Sequence, residues 1–153
     1  MSSKMLPDRR AVSLLMVILF FAGVQVAAGQ EAGKTWEDAS TGLMWTVEDN
    51  GVDLNWNQAN AHCGELTLGG QSDWRLPTLE ELEGLYDRSL KKQYKTREPI
   101  NVQSGNIWTG SKNTLGDAWM FNFGYGGSSI SPTGGGGCGV VGRALCTRGG
   151  KGK

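Results

Sequence analysis

The sequence predicts an α+β fold: two short helices and a set of short strands joined by long loops. Three observations carry this. Two segments open with a capping residue followed three positions later by Gln or Glu, the signature of a helix start. From Ile107 onward the chain reads only as strand and loop. Glycine (24 of 153 residues) and tryptophan (6) are abundant, and long helical runs are few, which favours short strands between turns.

The first 29 residues lie outside this fold. Lys4, Arg9 and Arg10 form a basic region, residues 11–24 an uncharged apolar core, and Val26-Ala27-Ala28-Gly29 a run of small residues suited to cleavage near Gln30. This pattern predicts a secretory signal peptide over 1–29 and one domain over 30–153. An uncleaved N-terminal anchor is the competing reading, because the apolar run is nearly long enough to span a bilayer. Lys plus Arg and Asp plus Glu both number 15. Cleavage removes three cations (Lys4, Arg9, Arg10) and one carboxylate (Asp8), leaving a net charge of −2. Such a balance points to no nucleic-acid partner, and after cleavage to no membrane partner. Export places Cys63, Cys138 and Cys146 in an oxidising compartment, where pairs become disulfides and an odd third thiol is left over.

Residues 35–47 read as a hairpin. Asp38-Ala39-Ser40-Thr41-Gly42 is turn material, and Leu43, Trp45 and Val47 alternate with Met44 and Thr46 as in a half-buried strand. Glu48-Asp49-Asn50-Gly51 is a second turn. A helix is expected over 56–66, with Asn55 as cap and Gln58 at the capping-box position. Its stripe of Trp56, Ala59, Cys63 and Leu66 turns Cys63 to the core. His62, the chain's one histidine, sits beside that stripe, and with no second histidine it reads as a helix-borne polar residue.

Asp73-Trp74-Arg75-Leu76-Pro77-Thr78-Leu79-Glu80-Glu81-Leu82 is the most informative stretch. Pro77 holds Leu76 extended. Thr78 and Glu81 form a capping box, and the two glutamates suit the positive end of the helix dipole. Leu79, Leu82, Leu85 and Tyr86 share one face of a helix expected over 79–90. Trp74 reads as core and Arg75 as a brace for a loop or a carboxylate. Lys91, Lys92, Lys95 and Arg97 follow, either as cations at the helix C-terminus or as a basic patch for an anionic glycan. Further strands are expected at 107–111, at 118–123 (apolar on both faces until Asn122, hence central) and at 140–148. Between them, 124–139 holds eight of the 24 glycines and reads as a surface loop, and 149–153 as a frayed tail.

The Asp-Trp-Arg-Leu-Pro-Thr-x-x-Glu-Leu run resembles the signature of a bacterial secreted domain family named for the C-terminal domain of the Legionella collagen-like adhesin. Thr41-Gly42-Leu43-Met44-Trp45, Trp56-Asn57-Gln58-Ala59 and Leu145-Cys146-Thr147-Arg148 agree with it in order, so the resemblance runs from about Trp36 to Arg148. The family is C-type-lectin-like and distantly similar to the formylglycine-generating enzyme fold. It implies two helices flanking short antiparallel sheets with long loops, pairing of the first and last strands, and a bond from the helix cysteine, Cys63, to the last-strand cysteine, Cys146. Cys138 stands where such domains place a second-bridge cysteine, without its partner. Glu98-Pro99-Ile100-Asn101 resembles the calcium and sugar motif of true C-type lectins, but Ile100 interrupts it, so no cofactor is expected and calcium is a minor alternative.

These implications lead to a secreted, non-enzymatic binding module for glycan or an extracellular protein surface, located outside the cell, in the periplasm or at the cell surface. Trp108, Asn113, Asp117, Trp119, Asn122 and Tyr125 are the candidate ligand contacts, since aromatics and amides suit sugar faces and hydroxyls; core is the competing assignment for Trp108 and Trp119. A homo-oligomeric surface subunit is one alternative. The other is a copper oxidoreductase of the formylglycine-generating type, which would use Cys138 and Cys146 as a reduced pair.

Overall fold

The computed structural model describes residues 33–133 and 140–149. The leader expected at 1–29 and the thiol of Cys138 lie outside the described residues. The fold is α+β, as the sequence predicts. Strands β1 (Thr35–Asp38) and β2 (Leu43–Thr46) form the expected hairpin, followed by helices α1 (Trp56–Glu65) and α2 (Leu79–Leu85). Strands β3 (Asn106–Lys112), β4 (Ala118–Asn122), β5 (Gly127–Ser131) and β6 (Thr147–Gly149) complete the chain. They make two three-stranded antiparallel sheets, ordered β1-β2-β6 and β3-β4-β5.

Both helices begin where their capping boxes place them. Asn55 Oδ1 accepts from the Gln58 amide while Gln58 Oε1 accepts from the Asn55 amide, each at 3.0 Å. Thr78 Oγ1 accepts from the Glu81 amide at 3.2 Å, and Glu81 Oε2 accepts from the Thr78 amide at 2.8 Å. Four backbone N–H groups that a helix start leaves orphaned thereby find acceptors. The end of α2 departs from expectation. It stops at Leu85 rather than at residue 90, and Tyr86 is already extended. Asp87 explains the stop: its Oδ1 takes both the amide (2.9 Å) and the hydroxyl (2.6 Å) of Ser89, a local turn that competes with the helix. Lys91, Lys92, Lys95 and Arg97 therefore lie beyond the helix, so its dipole does not explain them. Lys92 pairs with Glu98 at 2.8 Å and Lys95 donates to the Gly124 carbonyl at 2.7 Å.

Strands β3 and β4 bury side chains on both faces of their sheet. Ile107, Phe121 and Phe123 pack with Leu82 and Leu85 of α2, together with Leu43 and Trp45 of β2. Trp108, Ala118 and Met120 pack with Ala59 and Cys63 of α1, together with Trp74. Strand β4 is the middle strand, as its two apolar faces predicted. Part of the glycine-rich stretch is ordered against it: Gly127–Ser131 is β5, because ladder hydrogen bonds require no side chain.

Two further corrections concern the chain's end. The last strand pairs with β2, the inner strand of the hairpin, and not with β1. Residues 140–148 are mostly irregular, with strand only at Thr147–Gly149. Side chains replace ladder partners there: the Ala144 amide donates to Asn50 Oδ1 (2.7 Å) and the Cys146 amide to Thr46 Oγ1 (3.1 Å). Arg75 closes the arrangement. Its backbone exchanges two hydrogen bonds with Thr147, and its guanidinium binds both Glu81 oxygens at 2.8 Å. The central motif thus ties α2 to β6, and Trp74 is core as expected, 3% exposed.

Candidate binding surface

The six candidate contacts do not come together. β3, β4 and β5 run as a meander, so the β3–β4 turn carrying Asn113 and Asp117 lies at one end of β4 and the β4–β5 turn carrying Tyr125 at the other. Five strand residues separate them, about 13 Å at the usual rise. Trp108 is a correction: it is fully buried, and its indole N–H donates to the Leu54 carbonyl at 2.8 Å, so it holds the core and meets no solvent. Trp119 is half-buried opposite Ile130 of β5. Asn113 is occupied with its own turn. Its Oδ1 accepts the amides of Leu115 and Asp117, each at 2.9 Å, and its Nδ2 donates to Asp117 Oδ2 at 3.3 Å.

The β4–β5 end is different. Asn122 Nδ2 donates to Asn106 Oδ1 at 2.6 Å, and Asn122 Oδ1 accepts the amides of Gly124 (2.8 Å) and Tyr125 (3.3 Å). Its amide is spent on fixing the turn, so Asn122 positions Tyr125 and leaves the contact to others. Tyr125 is 66% exposed. Two more tyrosines come to the same turn. The Tyr86 ring lies so close to the Gly126 backbone that a Cβ there would fall 2.4 Å from it, and the positive φ of Gly126 (74°) also favours glycine. The Tyr94 ring lies against Gly105, beside the Asn122 amide, and its hydroxyl accepts from exposed Gln93 at 3.1 Å. Lys95 reaches the same turn through Gly124. The result is a surface of three tyrosines, an exposed Asn106–Asn122 amide pair and a lysine.

Sequence reading found Asn122 and Tyr125, and offered Lys95 as part of a basic patch for an anionic glycan, but missed Tyr86, Tyr94 and Asn106. Asn106 and Asn122 are cross-strand partners, which only the β3–β4 register reveals. Tyr86 carried the signal of a core residue, being on the apolar stripe of α2, and one edge of its ring does pack on Phe121 at 5.8 Å between centroids.

Elsewhere, a cleft of about 420 Å³ runs beside the disulfide and is lined by Thr46, Asp49, His62 and Cys146 among others. His62 is exposed, and the Asp49 carboxylate is engaged by Arg143 and two backbone amides. In the Glu98-Pro99-Ile100-Asn101 run, Glu98 pairs with Lys92 and Ile100 is fully buried. Among the described residues no group of three or more His, Cys, Asp or Glu is arranged to hold a metal ion. No helix among them is long and apolar enough to cross a membrane. Cys63 and Cys146 are joined by a disulfide, the bond the resemblance implies. Cys146, so bonded, is not the reduced thiol that the copper-oxidoreductase alternative assigns to it.

No curated protein matches the chain. Residues 34–140 match the Lcl C-terminal domain, and the chain belongs to that family.

Proposed function

We propose that the chain is an exported, non-enzymatic binding module that recognises glycan through the Tyr86–Tyr94–Tyr125 surface. The observation that carries this reading is the convergence of three tyrosines on one amide-braced turn, with Tyr125 largely in solvent. Tyrosine offers an apolar ring to the C–H face of a sugar and a hydroxyl to its oxygens, at little cost in side-chain entropy. The Asn106 amide and Lys95 add polar groups at the rim. Export is supported by the leader pattern and by a disulfide that needs an oxidising compartment.

A glycan array probed with the protein from Gln30 onward tests the reading. Binding to a defined set of glycans is expected, with Tyr125→Ala lowering affinity about tenfold and Asn113→Ala leaving it unchanged. Binding insensitive to Tyr125→Ala would move the site elsewhere. A second reading, a self-associating surface subunit, draws on β5, an edge strand with Ser128, Ser129 and Ile130 exposed. Its measure is mass in solution across a range of concentrations.

A further inference from the structure

We infer that Asn50-Gly51 is a latent modification site. Its conversion to aspartate and isoaspartate, with loss of ammonia, is held back by Asp49 and Ala144 and proceeds when the chain around Ala144 lets go of Asn50. The site lies outside the tyrosine surface and stands or falls independently of it.

The sequence supplies the reactive pair, since Asn50-Gly51 is the one Asn-Gly step in the chain. The reaction is intramolecular. The Gly51 nitrogen loses its proton and attacks the side-chain carbonyl carbon of Asn50. The new N–C bond closes a succinimide ring, and the Asn50 side-chain nitrogen leaves as ammonia. Water then opens the ring at either carbonyl, giving aspartate or isoaspartate. Glycine favours the first step because no side chain obstructs its nitrogen and its backbone turns freely. Water is at hand, because Asn50 is half-buried and Gly51 exposed.

The folded turn opposes the first step at both reacting atoms. The Gly51 N–H donates to Asp49 Oδ1 at 2.8 Å, so the proton that must leave is bound. The amide anion would also form beside a carboxylate with no exposed surface, where like charges repel strongly. The Asn50 amide is pinned at both ends: Oδ1 accepts the Ala144 amide and Nδ2 donates to the Val52 carbonyl, each at 2.7 Å. The Asn50 backbone N–H donates to the Ala144 carbonyl at 2.9 Å as well. The carbon under attack therefore cannot swing toward Gly51 without giving up these bonds. Ala144 is itself kept in place by its neighbour Arg143, bound to Asp49, and by Cys146 in the disulfide. Protection is thus a property of the attached chain end.

The product removes its own guard. In isoaspartate the main chain runs through the former side-chain carbon and is one atom longer, which carries Gly51 away from Asp49. Aspartate turns an oxygen, in place of an N–H, toward the Val52 carbonyl and adds a second negative charge next to Asp49. Either product loosens the Asp49–Arg143 cluster and the pairing with Ala144, so the change runs one way and records that the chain end has opened.

The test is incubation of the protein from Gln30 onward at mildly alkaline pH, with peptide mapping by mass spectrometry and an isoaspartate assay at intervals. A synthetic peptide of residues 46–55 supplies the unprotected rate. The folded protein should react at least about tenfold more slowly than the peptide, and Asp49→Ala or reduction of the disulfide should each speed it about tenfold, the weight of one charge-assisted hydrogen bond. Because Asp49→Ala also weakens the fold, a second measurement uses the unaltered protein in low urea. There the rate of ammonia loss should rise in parallel with hydrogen exchange at the Ala144 amide. Equal rates in protein and peptide would overturn the proposal, as would a rate that ignores Ala144 exchange. A slower reaction in Asp49→Ala would make Asp49 the base that promotes the step and would overturn it too.

Discussion

Asp49 has a side chain with no exposed surface, in a chain segment that reads as an ordinary Glu-Asp-Asn-Gly turn. A charge in that position survives because it is fully partnered. Oδ1 accepts the Gly51 amide at 2.8 Å and the Arg143 guanidinium at 3.1 Å, and Oδ2 accepts the Gln103 amide. Arg143 also reaches Asp53 at 3.4 Å. Burial alone would lower the Arg143 pKa, but the two carboxylates more than offset it and hold it above its ordinary value. The sequence shows the turn and hides the rest, because Gln103 and Arg143 are 54 and 94 positions away and no local pattern links them. Asp49→Ala leaves two amides without their acceptor and partly buried Arg143 with Asp53 alone, so unfolding in urea should show a loss of about 3 kcal/mol. Asp49→Asn keeps an acceptor for Gly51 and should lose less. Equal losses would mean that charge is not what the site uses.

At the scale of the element, legibility follows the range of the interaction. Both capping boxes were visible in the sequence because each is closed within three residues. The hairpin and the central position of β4 were visible because alternation and two-sided apolarity are local properties of a strand. The end of α2, the strand within the glycine-rich stretch and the short β6 were not. Each depends on an Asp87 turn, a neighbouring edge or distant side-chain acceptors. The candidate surface divides in the same way, since Tyr125 announced itself as a turn aromatic while Asn106 required the sheet register. The Thr78 cap also has a measurable pH signature. Burial alone would raise the Glu81 pKa, but the Arg75 bonds, the Thr78 amide and the Arg75 charge bring it below its ordinary value near 4.5. A carboxyl lowered on folding stabilises the protein above its unfolded pKa and stops doing so as the pH falls through the folded one. Stability should thus be level through neutral pH and fall on acidification below about 4.5. Glu81→Gln should lower it by about 1 kcal/mol at pH 7, the discount reflecting a partly exposed partner, and should flatten the acid slope. An unaltered slope would assign the acid loss to other carboxylates.

For the molecule as a whole, the question is what joins the two sheets. The β1-β2-β6 sheet and the β3-β4-β5 sheet are not hydrogen-bonded into one another as named strands, so the link is made by core packing, by short bridges such as Ile107 with Arg143, and by one covalent bond. That bond ties Cys63 of α1 to Cys146, next to the start of β6, across 83 residues. Both cysteines are buried, in the same cluster as Trp74, Trp108 and Met120. The apolar stripe of α1 in the sequence turned Cys63 inward, but its partner came from the resemblance, because no local signal selects Cys146 over Cys138. Cross-linking so long a loop removes chain entropy from the unfolded state, worth about 4 kcal/mol in that account. Cys63→Ala and Cys146→Ala should therefore each cost a few kcal/mol in urea unfolding without reductant, and the double variant should cost no more than either, since one bond is lost in all three. Cys138→Ala should be nearly silent in the same assay. Non-reducing peptide mapping should recover a fragment joining residues 63 and 146. A double variant markedly worse than either single one would mean that the two side chains contribute as packing volume rather than as a bond, and the link between the helix layer and the end of the chain would then have to be sought in the cluster around Trp74 and Trp108.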